Sequence, residues 1–186
     1  MSGWRKKRSV MHRYDVTAGI YDARYADEQI AKYKAALESL RTRKFGVVLD
    51  AGCGTGLLFD HVADDTEAII GLDVSRKSLL KARRHAKSQN VHLVCADVDA
   101  MPFVDGTFDC IFAMTLIQNS PNPADTLKEI ERVSKDDAEI VVTGLKKVFS
   151  KRRFEVLLRD AGLNINVLKD EGNLKCYVTV CTRLHH

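Results

Sequence analysis

Val47-Val48-Leu49-Asp50-Ala51-Gly52-Cys53-Gly54-Thr55-Gly56 joins an apolar run to a loop with glycine at every second position. Short runs of Val and Leu that are apolar at successive positions read as strands buried on both faces of a parallel sheet. Glycines after such a strand let the chain turn sharply and let a ligand lie against bare backbone. The spacing separates this loop from phosphate-binding ones. A dinucleotide fold wants G-x-G-x-x-G, whereas this loop is G-x-G-x-G directly after Asp50-Ala51. A P-loop would close with Gly-Lys-Ser/Thr, and Gly56 is followed by Leu57-Leu58. The loop suits a ligand whose nearby anion is a single carboxylate.

Further apolar runs follow at Ala68–Leu72, Val91–Ala96, Phe108–Met114 and Glu139–Gly144, after the first at Gly46–Leu49. Helical spacing fills the gaps at Leu57–Ala63, Arg76–Ser88, Ala124–Ser134 and Lys151–Ala161, with Ser75 as a cap and Gly162 as a stop. The alternation predicts an α/β fold with an open, doubly wound, mostly parallel sheet. Asn164–Leu168 and Lys175–Thr182, joined through Glu171-Gly172-Asn173, predict an antiparallel pair at the end. Upstream, Asp27–Leu40 reads as a helix.

The second strand ends in Asp73 and the third in Asp97. A carboxylate at the second strand tip can accept from both hydroxyls of a ribose, and one at the third can accept from an exocyclic amine such as that of adenine. Each acid alone could be a helix cap. Three successive strand tips carrying Asp50, Asp73 and Asp97, with the glycine loop, point to a nucleoside ligand at the carboxyl edge of the sheet.

VVLDAGCGTG, GLDVS, CADVDAMPF, FDCIFAMTLIQNSPNP and KEIERVSKDDAEIVV together resemble the successive motifs of class I S-adenosylmethionine (SAM)-dependent methyltransferases, in the group with a D-x-G-C-G-T-G loop. The resemblance runs from about Tyr14 to Arg183. It implies a seven-stranded Rossmann-like sheet with the last strand antiparallel, SAM as cofactor and S-adenosylhomocysteine as product. It implies that Gly52, Cys53, Gly54 and Gly56 form the loop under the methionine part, that Asp50 orients this loop, and that Asp73 holds the ribose with Val74 against the adenine. Asp97 and Val98 would read the adenine edge, and Met114 to Gln118, Met114 and Thr115 foremost, would line the cofactor. The segment Tyr14–Tyr25 resembles an N-terminal element that closes over the cofactor, with Tyr14 and Tyr21 as candidates for the substrate side. An equally good reading makes these tyrosines part of a packing helix.

Methyl transfer from a sulfonium is an in-line displacement that requires no catalytic acid or base. Asn119-Ser120-Pro121-Asn122-Pro123 resembles the N-P-P-Y tetrad of amino-methyltransferases. It lies too far past the fourth strand and lacks the Pro pair and the aromatic, so it reads as a loop, with Gln118 kept as a substrate contact. His61, His85 and His92 read as solvated, and His12 lies in the arm. His185 and His186 are given no role.

The chain has 186 residues, 45% hydrophobic and 29% charged, the profile of one soluble domain. We expect a basic arm over residues 1–13 and one domain over 14–186. The basic N-terminus has no apolar stretch after it, so it does not read as a signal peptide. No run is long enough to cross a bilayer. The five cysteines, with no C-x-x-C spacing, exclude a zinc site built by this chain alone and read as free thiols of a cytoplasmic protein. Net charge is +4, with basic clusters at Arg5–Arg8 and at Lys146, Lys147, Lys151, Arg152 and Arg153. The second cluster follows the fifth strand and so flanks the expected cofactor mouth. Two clusters at one opening favour RNA or a translation protein as acceptor. A small-molecule acceptor such as a quinone, or a non-catalytic SAM-binding role, are the alternatives. Small methyltransferases of translation that the chain resembles pair with a zinc-binding activator along the third-strand edge, here Val91–Ala96, whose apolar Val91, Leu93 and Val94 would need cover.

Overall fold

The computed structural model describes residues 3–42 and 44–184, with side chains described for Arg5, 7–12, 26–42 and 44–184. Seven strands form one sheet: β1 (Phe45–Ala51), β2 (Thr66–Asp73), β3 (Val91–Cys95), β4 (Phe108–Ala113), β5 (Ser134–Leu145), β6 (Leu163–Lys169) and β7 (Cys176–Arg183). Their spatial order is β3-β2-β1-β4-β5-β7-β6. The first five pair in parallel, while β7 runs antiparallel to both β5 and β6. The expected doubly wound sheet with an antiparallel end is therefore the fold found.

The continuous apolar runs are explained by two covered faces. Val48, Cys110, Phe112 and Val141 face one core, with α1 (Gly3–Leu37), α2 (Phe59–Val62) and α3 (Arg76–His85) on that side. Leu49, Ile111, Ile140 and Val142 face the other, under α4 (Pro123–Val133) and α5 (Lys151–Asp160). Leu127, Ile130 and Val133 of α4 are fully buried, as their helical spacing predicts. Ser75 caps α3 by accepting from the Ser78 N–H, and Gly162 takes a left-handed φ just past α5.

Two expectations about helices are corrected. The helix expected at Leu57–Ala63 shrinks to Phe59–Val62 followed by a 3-10 turn at Ala63–Asp65, with Leu58, Phe59 and Val62 all buried. The helix expected from Asp27 instead begins at Gly3 and ends at Leu37. From Gly3 the chain runs continuously into the turns at Tyr33, Ala36 and Leu37, which pack on the sheet. Among the described side chains of its first turns, Lys7 meets Asp97 and Asp99.

Candidate functional site

The carboxyl ends of β1, β2 and β4, the loop after β3 and helix α1 enclose one cleft of about 1140 Å³, counting space open to solvent. Asp50, Gly52, Cys53, Gly54, Asp73, Val74, Asp97, Val98, Met114 and Thr115 all line it. One sequence motif after each of four strands has converged on one cavity.

The glycine loop is held by β2. Gly52 and Cys53 donate their N–H groups to the Leu72 carbonyl at 2.8 and 3.0 Å, and Gly54 donates to the Asp73 carboxylate at 2.9 Å. The other Asp73 oxygen accepts from the Ser75 N–H at 2.8 Å. Asp73 thereby ties the loop to the start of α3, the orienting role expected of Asp50. Gly54 has φ +54 and nothing within 4 Å of where a Cβ would stand, so its bare face looks into open cavity. A bare cradle of this kind would hold the methionine end of SAM.

Asp50 is 4% exposed, and its pKa is pushed up to about 8 by burial and then by the charge of Asp73. Burial, helped by Asp50 and Asp73, also pushes the Cys53 thiol well up, so it stands in the wall as a neutral group.

Asp97 and Asp99 form the opposite end. The Lys7 ammonium of α1 lies 2.5 Å from Asp97 and 2.6 Å from Asp99, and Val10 and Met11 from the next turn line the cleft. Burial pulls the Lys7 pKa down, but the two carboxylates outweigh it and the net shift is upward. Thr126 of α4 donates to Asp99 at 2.5 Å, and Arg132 ties the rest of the loop down through Asp105, Glu129 and the carbonyls of Met101 and Phe103.

Thr115 is the one described non-glycine residue with positive φ, at 59°. A β-branched residue there is strained and needs neighbours that impose the conformation. Its N–H donates to Thr143 Oγ1 at 2.7 Å, its carbonyl accepts from Asn119 at 2.9 Å, and its hydroxyl meets Gln29 and Lys32 of α1 at 3.3 Å. Lys32 is buried and pairs with Glu28 at 2.9 Å, which also pairs with Lys175.

Three expected residues do not reach the cleft, among them Ile117, which is fully buried in the core. Gly56, at φ +82, packs against Phe59 and Ala82 and serves the turn. Gln118 lies in the successive turns that follow Thr115, where Asn119 and Ser120 donate back to Leu116 and Ile117; those turns put Asn119, Ser120 and Pro121 on the cleft instead. The Gln118 side-chain oxygen is buried with no partner among the described residues. The side chains of Tyr14 and Tyr21 lie outside the described residues. The expectation missed Lys7, Gln29, Tyr33 and Asp99. Only Asp99 had a local signal, as the second acid of Asp97-Val98-Asp99.

Strand order, loop and acids define a class I SAM-dependent methyltransferase. Residues 49–142 match the methyltransferase domain family, and the chain belongs to it. It is 33% identical over 144 residues to a malonyl-[acyl-carrier protein] O-methyltransferase of Marinomonas sp., covering 76% of this chain and 53% of that protein. It is 32% identical over 126 residues to a ubiquinone biosynthesis O-methyltransferase of Coxiella burnetii, covering 66% and 51%. The chain thus spans about half the length of the curated relatives it matches. Among solved structures, a complex between the Haloferax volcanii Trm112 methyltransferase activator and a candidate methyltransferase superposes with a TM-score of 0.80 at 19% identity, over 93% of this chain and 96% of that one. A SAM-dependent methyltransferase from Aquifex aeolicus gives 0.71 at 20% identity, over 82% and 89%.

SAM is the cofactor of this class, and it supplies an activated methyl group on a sulfonium. The loop from Gly52 to Gly54, the acids Asp73 and Asp97 and the α1 cover would hold it, supplying position and exclusion of water. Among the described residues no His, Cys, Asp and Glu cluster could hold a metal, and no helix is long and apolar enough to cross a membrane.

Proposed function

We propose that the chain transfers the methyl group of SAM to a macromolecular acceptor, RNA or a translation protein, releasing S-adenosylhomocysteine. The observation that carries this reading is the basic stretch past β5, the strand next to β4, whose end lines the cleft. The β5 strand that ends beside Thr115 leads into a brief connection with Lys147 exposed, and then into α5, whose first turn exposes Lys151, Arg152 and Arg153. Among the described residues Asp170 pairs with Lys146 and Lys151 only, which leaves the stretch net positive. A positive stretch suits a polyanion, whose phosphates release counterions on binding.

The cleft's own shape favours a second reading. Val10, Met11, Leu57, Leu72, Met114 and Leu116 give it a largely apolar wall, which would accept a small apolar molecule, and the malonyl-carrier and ubiquinone relatives point the same way. Incubation with methyl-labelled SAM and an extract split into RNA, protein and small-molecule fractions separates the two. Label in RNA or protein is expected; label confined to small molecules would replace the first reading with the second.

A partner belongs to the same proposal. β3 is one of the two edges of the sheet, with Val91, Leu93 and Val94 half-buried. A small zinc-binding activator laid on that edge, in the cytoplasm, would cover it. A fully active monomer in size-exclusion chromatography would count against it.

A further inference from the structure

We infer that helix α3, with the exposed arginines of α1's first turns, is a phosphate-tracking surface that brings RNA to the cleft; this rests on the RNA reading above and gives it a docking face. Five of the ten residues of α3 are Lys or Arg and none is Asp or Glu. The net charge of the whole chain is only +4, so outside α3, Arg5–Arg8 and the stretch from Lys146 to Arg153 the molecule is acidic. Arg76, Lys77, Arg83, Arg84 and, just past the helix, Lys87 are exposed, and none has a carboxylate partner among the described residues.

The face adjoins the cleft. Ser75 and Ser78 at the start of α3 line it, while Arg76 and Lys77 between them point outward. Across the mouth, α1 lines the cleft with Lys7, Val10 and Met11 and exposes Arg5 and Arg8. Helices α1 and α3 pack against each other. A polyanion on one is therefore in reach of the other, with the cavity between.

The choice of RNA follows from the composition of the face. Planar guanidinium groups match phosphate oxygens and stack on bases. A membrane-binding helix needs a free apolar stripe. Here Leu79 and Ala82 are spent on the core, and Leu80, 67% exposed, is the single large apolar side chain between the charges.

The test compares the full chain with the triple variant Lys77→Gln, Arg83→Gln, Arg84→Gln and with Lys147→Gln, Arg152→Gln, Arg153→Gln on the basic stretch leading into α5. Anisotropy of a short fluorescein-labelled RNA hairpin is read between about 50 and 200 mM salt. The α3 variant should bind at least about tenfold more weakly at low salt, with the salt slope reduced by roughly 0.7–0.9 for each phosphate that the variant no longer neutralises. Calorimetric affinity for S-adenosylhomocysteine should not change, which shows an intact fold. Undiminished RNA binding by the α3 variant, with weakened binding by the α5 variant, overturns this surface and leaves the RNA reading standing. No RNA binding by the unmodified chain overturns both. Retention on phosphatidylserine vesicles, abolished in the α3 variant, would assign the face to a lipid surface and overturn it as an RNA site.

Discussion

Lys7 sits between Asp97 and Asp99, 2.5 and 2.6 Å from their carboxylates, although 90 residues separate it from the first. Two ion pairs from this one lysine thus close the start of a 35-residue helix over the cleft. Asp97 already accepts from the Asp99 N–H with one oxygen at 3.0 Å, so the oxygen facing Lys7 is the one open to an adenine amine. Ligand and lysine compete for it. Lys7→Met should therefore speed association of S-adenosylhomocysteine by at least about threefold in stopped flow at low salt. The gap should close at high salt, where the pair is screened. Equal association rates at low salt would refute the latch.

Asp50 makes a pH prediction whose sign is fixed by burial. Its pKa in the folded chain is about 8, above the ordinary 3.8. Its contribution to stability is therefore complete below the unfolded value and is lost as pH rises through about 8. The melting temperature of the free chain should fall over that window, and Asp50→Asn should flatten the fall. Binding of a cationic cofactor runs the other way, because it favours the ionised carboxylate. SAM affinity should rise as pH approaches about 8 and level off above it. An affinity independent of pH in the unmodified chain would show that Asp50 does not face the cofactor's charge.

The parts of the site that were legible in the sequence share one property. Asp50, Asp73 and Asp97 each follow an apolar run, and strand order carries them to a common edge without any long-range contact having to be guessed. The bonds that close the site lack that property. Thr115 meets Gln29 and Lys32 across 86 and 83 residues, and nothing in the local pattern of α1 marks those two positions. The long helix was equally hidden, since among the described residues Lys7 reaches two acids about 90 residues away, a pair that no local pattern announces. The basic face of α3 was legible in Arg-Lys-Ser-Leu-Leu-Lys-Ala-Arg-Arg-His, but a helix start hides charge among ordinary solvated residues until the cleft beside it is seen.

Thr115 tests whether the polar closure matters. Thr115→Val keeps the branched shape and the strained φ but removes the oxygen that Gln29 and Lys32 donate to. A buried donor left unsatisfied costs about 1–3 kcal/mol. Urea denaturation should show a loss in that range, with cofactor affinity reduced as α1 loosens. Thr115→Gly should be the milder variant, because relief of the left-handed strain offsets part of the missing bonding. A Thr115→Val chain as stable as the unmodified one would mean that the network is incidental.

Two glycines separate folding from binding. A Cβ at Gly71 would stand 2.7 Å from Phe59, 3.0 Å from Leu93 and 3.2 Å from Cys53, all in the core beneath the loop. Gly71→Ala forces those side chains apart and should cost about 1–3 kcal/mol, as overpacking does. A Cβ at Gly54 meets nothing within 4 Å, and only its φ of +54 resists substitution. Gly54→Ala should therefore cost about 1 kcal/mol of backbone strain and leave the melting curve nearly in place. Its methyl group would project into the space where the cofactor's methionine end would lie against the loop, so calorimetric binding of S-adenosylhomocysteine should drop by at least about a hundredfold, beyond what the reduced stability explains. Binding that survived in Gly54→Ala, with stability intact, would place the cofactor away from the loop.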